Sequence, residues 1–303
     1  MRARVGKGST MSDTPSADHM EPAPPRQSQG ADAPAAAPVE KAATPPKKDE
    51  SFLSFLFWLV LGVVVLRSFI ISPFTIPSES MLPRLLTGDY LFATKFSYGF
   101  SKYSLPFSAP LIPHRIFAHQ PDRGDVVIFK APPGNDVDYI KRVIGLPGDE
   151  VQMKGGQVWL NGKPVPKVKI ADFVVPVSPN TDCGPGFETV DAAGKAVCSY
   201  PRFRETLPGG KTYDVLDMGT TEQDDTGVFI VPEGHLFLMG DNRDNSMDSR
   251  FPAVEGGGIG IVPQDNLVGK AAVMMFSTDG SAEWIKPWTW FTAARWSRIG
   301  STF

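Results

Sequence analysis

Cysteine and histidine are scarce in this 303-residue chain: two cysteines, Cys183 and Cys198, and four histidines, at 19, 114, 119 and 235. No C-x-x-C pair occurs and the histidines are scattered, so a structural zinc site is not expected. The same scarcity leaves no visible His–Asp partner for a catalytic serine. A surplus of positive charge is missing too: 30 basic against 33 acidic residues give a formal charge of −3. Nucleic acid, which selects a basic patch or stripe, is therefore not an expected partner. Internal repeats are absent, and long apolar runs are absent apart from one.

That run is Ser51 to Ile71, SFLSFLFWLVLGVVVLRSFII. About 20 mostly apolar residues are needed to span the hydrocarbon of a bilayer, and this stretch just suffices. Arg67 near its far end can reach the interface. Lys47 and Lys48 in front of it favour a cytoplasmic N-terminus. The distance from the N-terminus and the residues that follow, Ser72 to Ile76, do not suit a cleaved signal peptide. Residues 1–50 are rich in Ala, Pro, Ser and Gln with almost no large apolar residue. They are expected to be disordered, because they cannot bury enough surface to offset ordering entropy.

Beyond the span the pattern turns to short β-type runs between Gly, Pro and Asp clusters. They are Asp125–Lys130, Tyr139–Ile144, Gln157–Lys163 with an Asn161-Gly162 turn, Gly227–Val231, His235–Met239 and Leu267–Phe276. This predicts a mostly β fold. Strands at 73–149 and 236–280 are assigned to one β domain. Within it, residues 98–120 are a hairpin-like excursion. Residues 150–235, with weak periodicity and both cysteines, are assigned to an inserted β-rich subdomain. In an oxidising compartment Cys183 and Cys198 are candidates to pair. Residues 281–303 form a tail in which Trp284, Trp288, Trp290, Phe291 and Trp296 mix with Lys286, Arg295 and Arg298. Such a mixture suits either a membrane interface or packing on the domain.

Three stretches carry candidate chemistry. Pro77-Ser78-Glu79-Ser80-Met81 has two serines two apart, which share a face if the chain is extended. One hydroxyl can then attack while the other helps hold an oxyanion. In Asp138-Tyr139-Ile140-Lys141-Arg142-Val143-Ile144, a strand puts Lys141 between Tyr139 and Val143 on one face. Apolar neighbours depress a lysine pKa by desolvation, and a neutral amine can take a serine proton, whereas arginine stays charged. A lysine whose head reaches water is the alternative. The third stretch, Gly240 to Arg250, reads as a hydrogen-bonded loop at a strand end, with Asp248 and Arg250 a candidate ion pair and Ser246 near an amine. An EF-hand reading of Asp244, Ser246, Asp248 and Glu255 fails at Ser249, where glycine is needed, and at Pro252.

Together Pro73 to Met81, Tyr139 to Arg142, Gly145-Leu146-Pro147-Gly148-Asp149 and Gly240 to Arg250 resemble, in content and order, the signature blocks of bacterial type I signal peptidase (leader peptidase). The resemblance implies a signal-peptidase-like β catalytic domain in which Ser80 is nucleophile and Lys141 general base. It further implies that Ser78 and the Ser80 N–H form the oxyanion hole, with Ser246 positioning Lys141 and Asp248 and Arg250 supporting the loop. Phe74, Ile76, Met81, Tyr139 and Ile140 would line shallow pockets for small residues of the Ala-X-Ala kind. The implied substrates are signal peptides of exported preproteins, cut near the export machinery without metal or cofactor. The implied location is the inner membrane, single-pass, with the catalytic domain outside the cytoplasm.

Two features depart from the family pattern. Glu79 stands where the family often has Gly, a position that would strain Glu if it required φ > 0. One span is visible where many members have two. Two other readings stay open at this point: a self-cleaving Ser–Lys repressor, and a non-catalytic anchored β domain that binds a partner.

Overall fold

The computed structural model describes residues 50–283 and 285–303. The expected disorder of the N-terminal tail falls outside these residues, as does Trp284. Helix α1 (Glu50–Val65) continues through a single π turn, Leu66–Ile70. The 19 residues Phe52–Ile70 are apolar, almost unburied and long enough to cross a bilayer. At 1.5 Å per residue they extend about 28 Å, close to the hydrocarbon thickness.

The strands follow in order. They are β1 (Ile71–Thr75), β2 (Asp89–Thr94), β3 (Val126–Lys130), β4 (Asp138–Gly145), β5 (Glu150–Lys154), β6 (Gln157–Leu160), β7 (Lys163–Pro164) and β8 (Lys167–Pro176). Then come β9 (Glu188–Val190), β10 (Ala196–Thr206), β11 (Thr212–Leu216), β12 (Phe229–Ile230), β13 (His235–Met239), β14 (Val262–Pro263) and β15 (Leu267–Ser277). A short helix, α2 (Thr289–Ala293), lies near the C-terminus. Among the described residues the fold is mostly β.

One seven-stranded sheet has the order β1-β2-β15-β3-β4-β13-β14. Its edge strand β1 contains Pro73, a residue an edge tolerates because it needs no ladder N–H there. β4 is interior, paired to β3 and to β13, with Val127 opposite Lys141 and Met239 opposite Arg142. Residues 140 to 145 of β4 are all buried. Its two faces feed different core clusters, Ile140 with Leu85 and Leu91, Val143 with Phe129 and Leu238. Two four-stranded sheets draw on the residues between: β12-β5-β6-β7, and β11-β10-β8 with β9 on β10. The Asn161-Gly162 turn joining β6 and β7 has both residues at positive φ, 52° and 74°, as a primed hairpin turn requires.

The sheet of β8 to β11 bears on the seven-stranded sheet at one place that matters for the site. Leu82 and Leu86, just after the paired serines, share a cluster with Val175, Cys198, Tyr200 and Leu216. Cys198 is disulfide-bonded to Cys183, their Cα atoms 5.3 Å apart. Residues 98–120 form two short 3-10 turns, Lys102–Ser104 and Pro106–Ser108, and a single bridge, Phe100 to Ile116, rather than a two-stranded ladder. Arg115 holds them down by donating to the carbonyls of Gly99 and Leu267, at 3.0 and 2.6 Å. In the C-terminal tail Trp288, Phe291 and Trp296 are exposed, and the last two rings stack.

Candidate active site

Ser80 opens a turn rather than lying on a strand. Leu82 N–H donates to the Glu79 carbonyl and Leu85 N–H to that of Met81, at 3.0 and 2.9 Å. The extended geometry expected for Ser78 and Ser80 is thus replaced by a bend. Both serines nevertheless line one cavity of about 350 Å³. Glu79 is not among the residues with positive φ, so it carries no left-handed strain. Its carboxyl group lies 3.4 Å from Asn245 Nδ2, and burial, with help from Asp182, pushes its pKa up.

β4 delivers Lys141 to this turn. Lys141 Nζ is 2.6 Å from Ser80 Oγ, and the two residues are 4% and 8% exposed. The amine also sits 5.7 Å from the centre of the Tyr139 ring. Among the described residues it has no carboxylate within ion-pair distance. Burial lowers its pKa to about 8; the more distant Asp248 and Asp241 oppose the shift and Arg250 adds to it. The next residue, Arg142, has the opposite fate. Its guanidinium grips Asp241 through two bonds of 2.7 and 2.5 Å, which keeps it charged. One strand therefore presents a cation stripped of counter-charge beside one fully neutralised, and only the first can act as a base.

The loop from Gly240 to Arg250 clamps the serine turn from the other side. Asn242 N–H donates to the Ser80 carbonyl at 3.1 Å, and Asn242 Nδ2 to the Glu79 carbonyl at 3.2 Å. Gly240 has no room for a side chain: a Cβ would come within 2.2 Å of Ser246 Oγ and 2.5 Å of the Ser80 carbonyl. Asp248 and Arg250 form a buried pair with contacts of 2.9 and 3.0 Å. Asp248 also accepts from Gly240 N–H, and Arg250 donates to the Arg243 carbonyl. Ser246 is buried beside Gly240, but its hydroxyl makes no hydrogen bond, to Lys141 or to any other described residue.

Phe74, Ile76, Tyr139 and Ile140 line the cavity with Ser78, Ser80 and Lys141. Met81, expected in the same lining, is 1% exposed and packs in the core with Leu85 and Leu91. The turn that aims Ser80 at Lys141 points the next side chain inward. Asp241, Asn242 and Arg243 lie in the loop expected after β13, but the sequence assigns them no individual role. Arg243 donates to Glu205 Oε2 at 2.6 Å, as does the Tyr213 hydroxyl. Leu216 of β11 pairs with the loop at Asn242. The one available signal was the density of polar residues after β13. Among the described residues no cluster of His, Cys, Asp and Glu has the arrangement of a metal site.

A buried amine against a serine hydroxyl, in an apolar-walled cleft on a mostly β frame, is an arrangement suited to nucleophilic acyl transfer. Residues 50–276 match the family model described as signal peptidase, peptidase S26. The chain is 39% identical over 238 residues to signal peptidase I of Rickettsia typhi, covering 76% of this chain and 80% of that protein. For signal peptidase I of Rickettsia prowazekii the identity is 38% with the same coverage. A solved signal peptidase I from Enterococcus faecalis V583 aligns with 50% of this chain and 97% of its own, at 24% identity and a TM-score of 0.26. The protein is thus a serine endopeptidase. The chain belongs to the signal peptidase family, peptidase S26, whose work is the removal of signal peptides.

Proposed function

We propose that the protein is a membrane-tethered signal peptidase I that cuts exported preproteins after small residues, with Ser80 as nucleophile and Lys141 as general base. The observation that carries this is the 2.6 Å approach of Lys141 Nζ to Ser80 Oγ in a buried setting. In the active state the neutral amine accepts the hydroxyl proton as Oγ attacks the scissile carbonyl. The oxyanion is held by Ser80 N–H and the Ser78 hydroxyl. Collapse expels the new N-terminus of the mature protein, which takes the proton from Lys141. The amine then draws a proton from water to hydrolyse the acyl-enzyme. Ser246, whose hydroxyl bonds to no described residue, turns toward the amine and steadies it during these transfers. Asp248 and Arg250 hold the loop that carries it.

An extended signal-peptide segment lies between the chain around Phe74–Ser78 and the start of β4. Phe74, Ile76, Tyr139 and Ile140 close shallow pockets that admit alanine-sized side chains. Residues 73–149 and 236–280 act as the catalytic unit, and 150–235 as an insert that buttresses the serine turn through Leu82 and Leu86. Phe52–Ile70 spans the inner membrane, with the N-terminus in the cytoplasm and the catalytic unit outside, next to the export machinery. Ser80 is within ten residues of the end of the span, and at most about 3.5 Å per residue that keeps the nucleophile near the outer leaflet, where signal peptides emerge.

The test is cleavage of a preprotein by the full chain in detergent, with the new N-terminus read by mass spectrometry. The expected product starts one residue after a small–X–small sequence, and Ser80→Ala gives none. A product from Ser80→Ala, or cuts unrelated to small residues, would overturn the reading. Two further outcomes follow from the same chemistry. Ser78→Ala is expected to lower kcat about 10²–10³-fold, the usual loss of one oxyanion donor, with little change in thermal unfolding. The pH profile of kcat/KM gives the base: protonated Lys141 cannot accept a proton, so activity is full above its pKa of about 8. Below that it falls about tenfold per pH unit. A rate flat from neutral to mildly acidic pH would remove Lys141 from the role.

A further inference from the structure

A second cavity, of about 580 Å³, opens between the end of the apolar helix and the domain. Its lining is chemically mixed. Val63 and Val64 of the helix, with Leu105 and Phe107 of the excursion, supply apolar surface, and Phe107 is wholly exposed. Arg67, Lys95 and Lys130 supply positive charge. Among the described residues Lys130 has a counter-ion, Asp138 at 3.1 Å. Lys95 is 5% exposed, and its ammonium makes one hydrogen bond, to the Tyr103 carbonyl at 3.3 Å. Among the described residues neither Lys95 nor Arg67 has a carboxylate partner. Two positive charges in excess thus face one cavity. Burying an ammonium without a paired anion is costly. Burial lowers the Lys95 pKa to about 8, with Asp138 opposing and Lys130, Arg67 and Arg115 adding.

We infer that this cavity seats the phosphate headgroup of an anionic phospholipid, with Arg67 and Lys95 on the phosphate oxygens and the glycerol–acyl end against Val63, Val64 and Phe107. Its position selects a lipid over a free phosphate. Arg67 lies in the last turn of the apolar span, at the level where headgroups sit if the span crosses the membrane as proposed above, and basic residues there attract anionic lipid. Phe74 and Asp138 line both this cavity and the catalytic cleft. A seated headgroup would therefore border the groove in which a signal peptide lies.

The experiment uses the full chain carrying Ser80→Ala, so that catalysis plays no part in the readout; co-flotation with phosphatidylcholine vesicles checks the tether separately. Purified protein is incubated with phosphatidylglycerol and phosphatidylcholine of matched chains, and retained lipid is read by native mass spectrometry. Phosphatidylglycerol should be retained in preference. Arg67→Gln and Lys95→Gln should each cut that preference about fivefold, the factor expected for one basic residue at an anionic surface. Arg67 lies exposed, so its variant remains informative even if Lys95→Gln fails to fold. Equal retention of the two lipids, or a preference unchanged in Arg67→Gln, overturns the inference. Displacement of phosphatidylglycerol by glycerol 3-phosphate would assign the site to free phosphate and overturn the lipid as its occupant.

Discussion

Lys141→Arg is expected to lower kcat for preprotein cleavage by about 10²–10⁴, the usual contribution of a general base, while the protein still folds. Arginine keeps the positive charge and much of the length, so the substitution isolates the one property lysine supplies here: a nitrogen that can lose its proton. In the native protein that loss is favoured by burial, and the pKa near 8 makes an appreciable fraction of the amine neutral at ordinary pH. In the proposed mechanism Ser80 and Lys141 act on the same proton, so their losses should not add. The double variant Ser80→Ala with Lys141→Arg should be no slower than the worse single variant. Single-turnover cleavage of a preprotein, beside thermal unfolding of each variant, provides the measurement. A Lys141→Arg protein within tenfold of the parent rate, or losses that multiply in the double variant, would exclude a shared proton.

How far the sequence foretold this arrangement differs by region. β3, β4 and β13 were legible, because strands buried on both faces read as mostly apolar runs, and β15 was marked by its Val, Met and Phe content. Lys141 stood out within such a run because a charge there demands a reason. The β8–β11 sheet was not legible. β8, Lys167–Pro176, has only Val175 buried, so no apolar alternation marks it. β10 breaks its register against β8 between Tyr200 and Arg202, which disrupts any period-2 pattern. These strands are set by ladder partners far along the chain, information that a local window lacks. The same holds for the anchors of the catalytic loop. Arg243 finds Glu205 and Tyr213, and Arg142 finds Asp241, across 30 to 99 residues of sequence. Met81 was misplaced for the opposite reason. Its neighbour's role was read from a motif, but the turn that gives Ser80 its direction was not, and that turn sends Met81 into the core.

Arg250→Met is expected to be among the most destabilising single substitutions in the domain, by about 3–5 kcal/mol, the cost of leaving one member of a buried ion pair uncompensated. Asp248 is 0% exposed and accepts from Arg250 through both oxygens. Arg250 and the Gly240 N–H hold its pKa below the usual carboxylate range against the opposing effect of burial. Without the guanidinium the carboxylate must either stay charged in an apolar site or take up a proton. The sign of the pH dependence follows. A depressed folded-state pKa adds stability above the unfolded carboxylate value of about 3.9, and that stability is lost as pH falls through the folded value. The parent protein should thus lose this share of its stability only in strong acid, whereas the Arg250→Met variant should lack it at neutral pH. Urea unfolding of both proteins at pH 7 and pH 4 reads the difference. Activity should fall with stability, because the Arg250 guanidinium also ties down the Arg243 carbonyl, and the loop it secures is the one that holds the Ser80 carbonyl through Asn242. Replacing both partners together, Asp248→Leu with Arg250→Met, should recover much of the stability without restoring cleavage, since the Gly240 N–H and Arg243 carbonyl would still lack their anchors. Recovery of cleavage in that double variant would mean that the pair supports the fold alone and has no part in holding the catalytic loop.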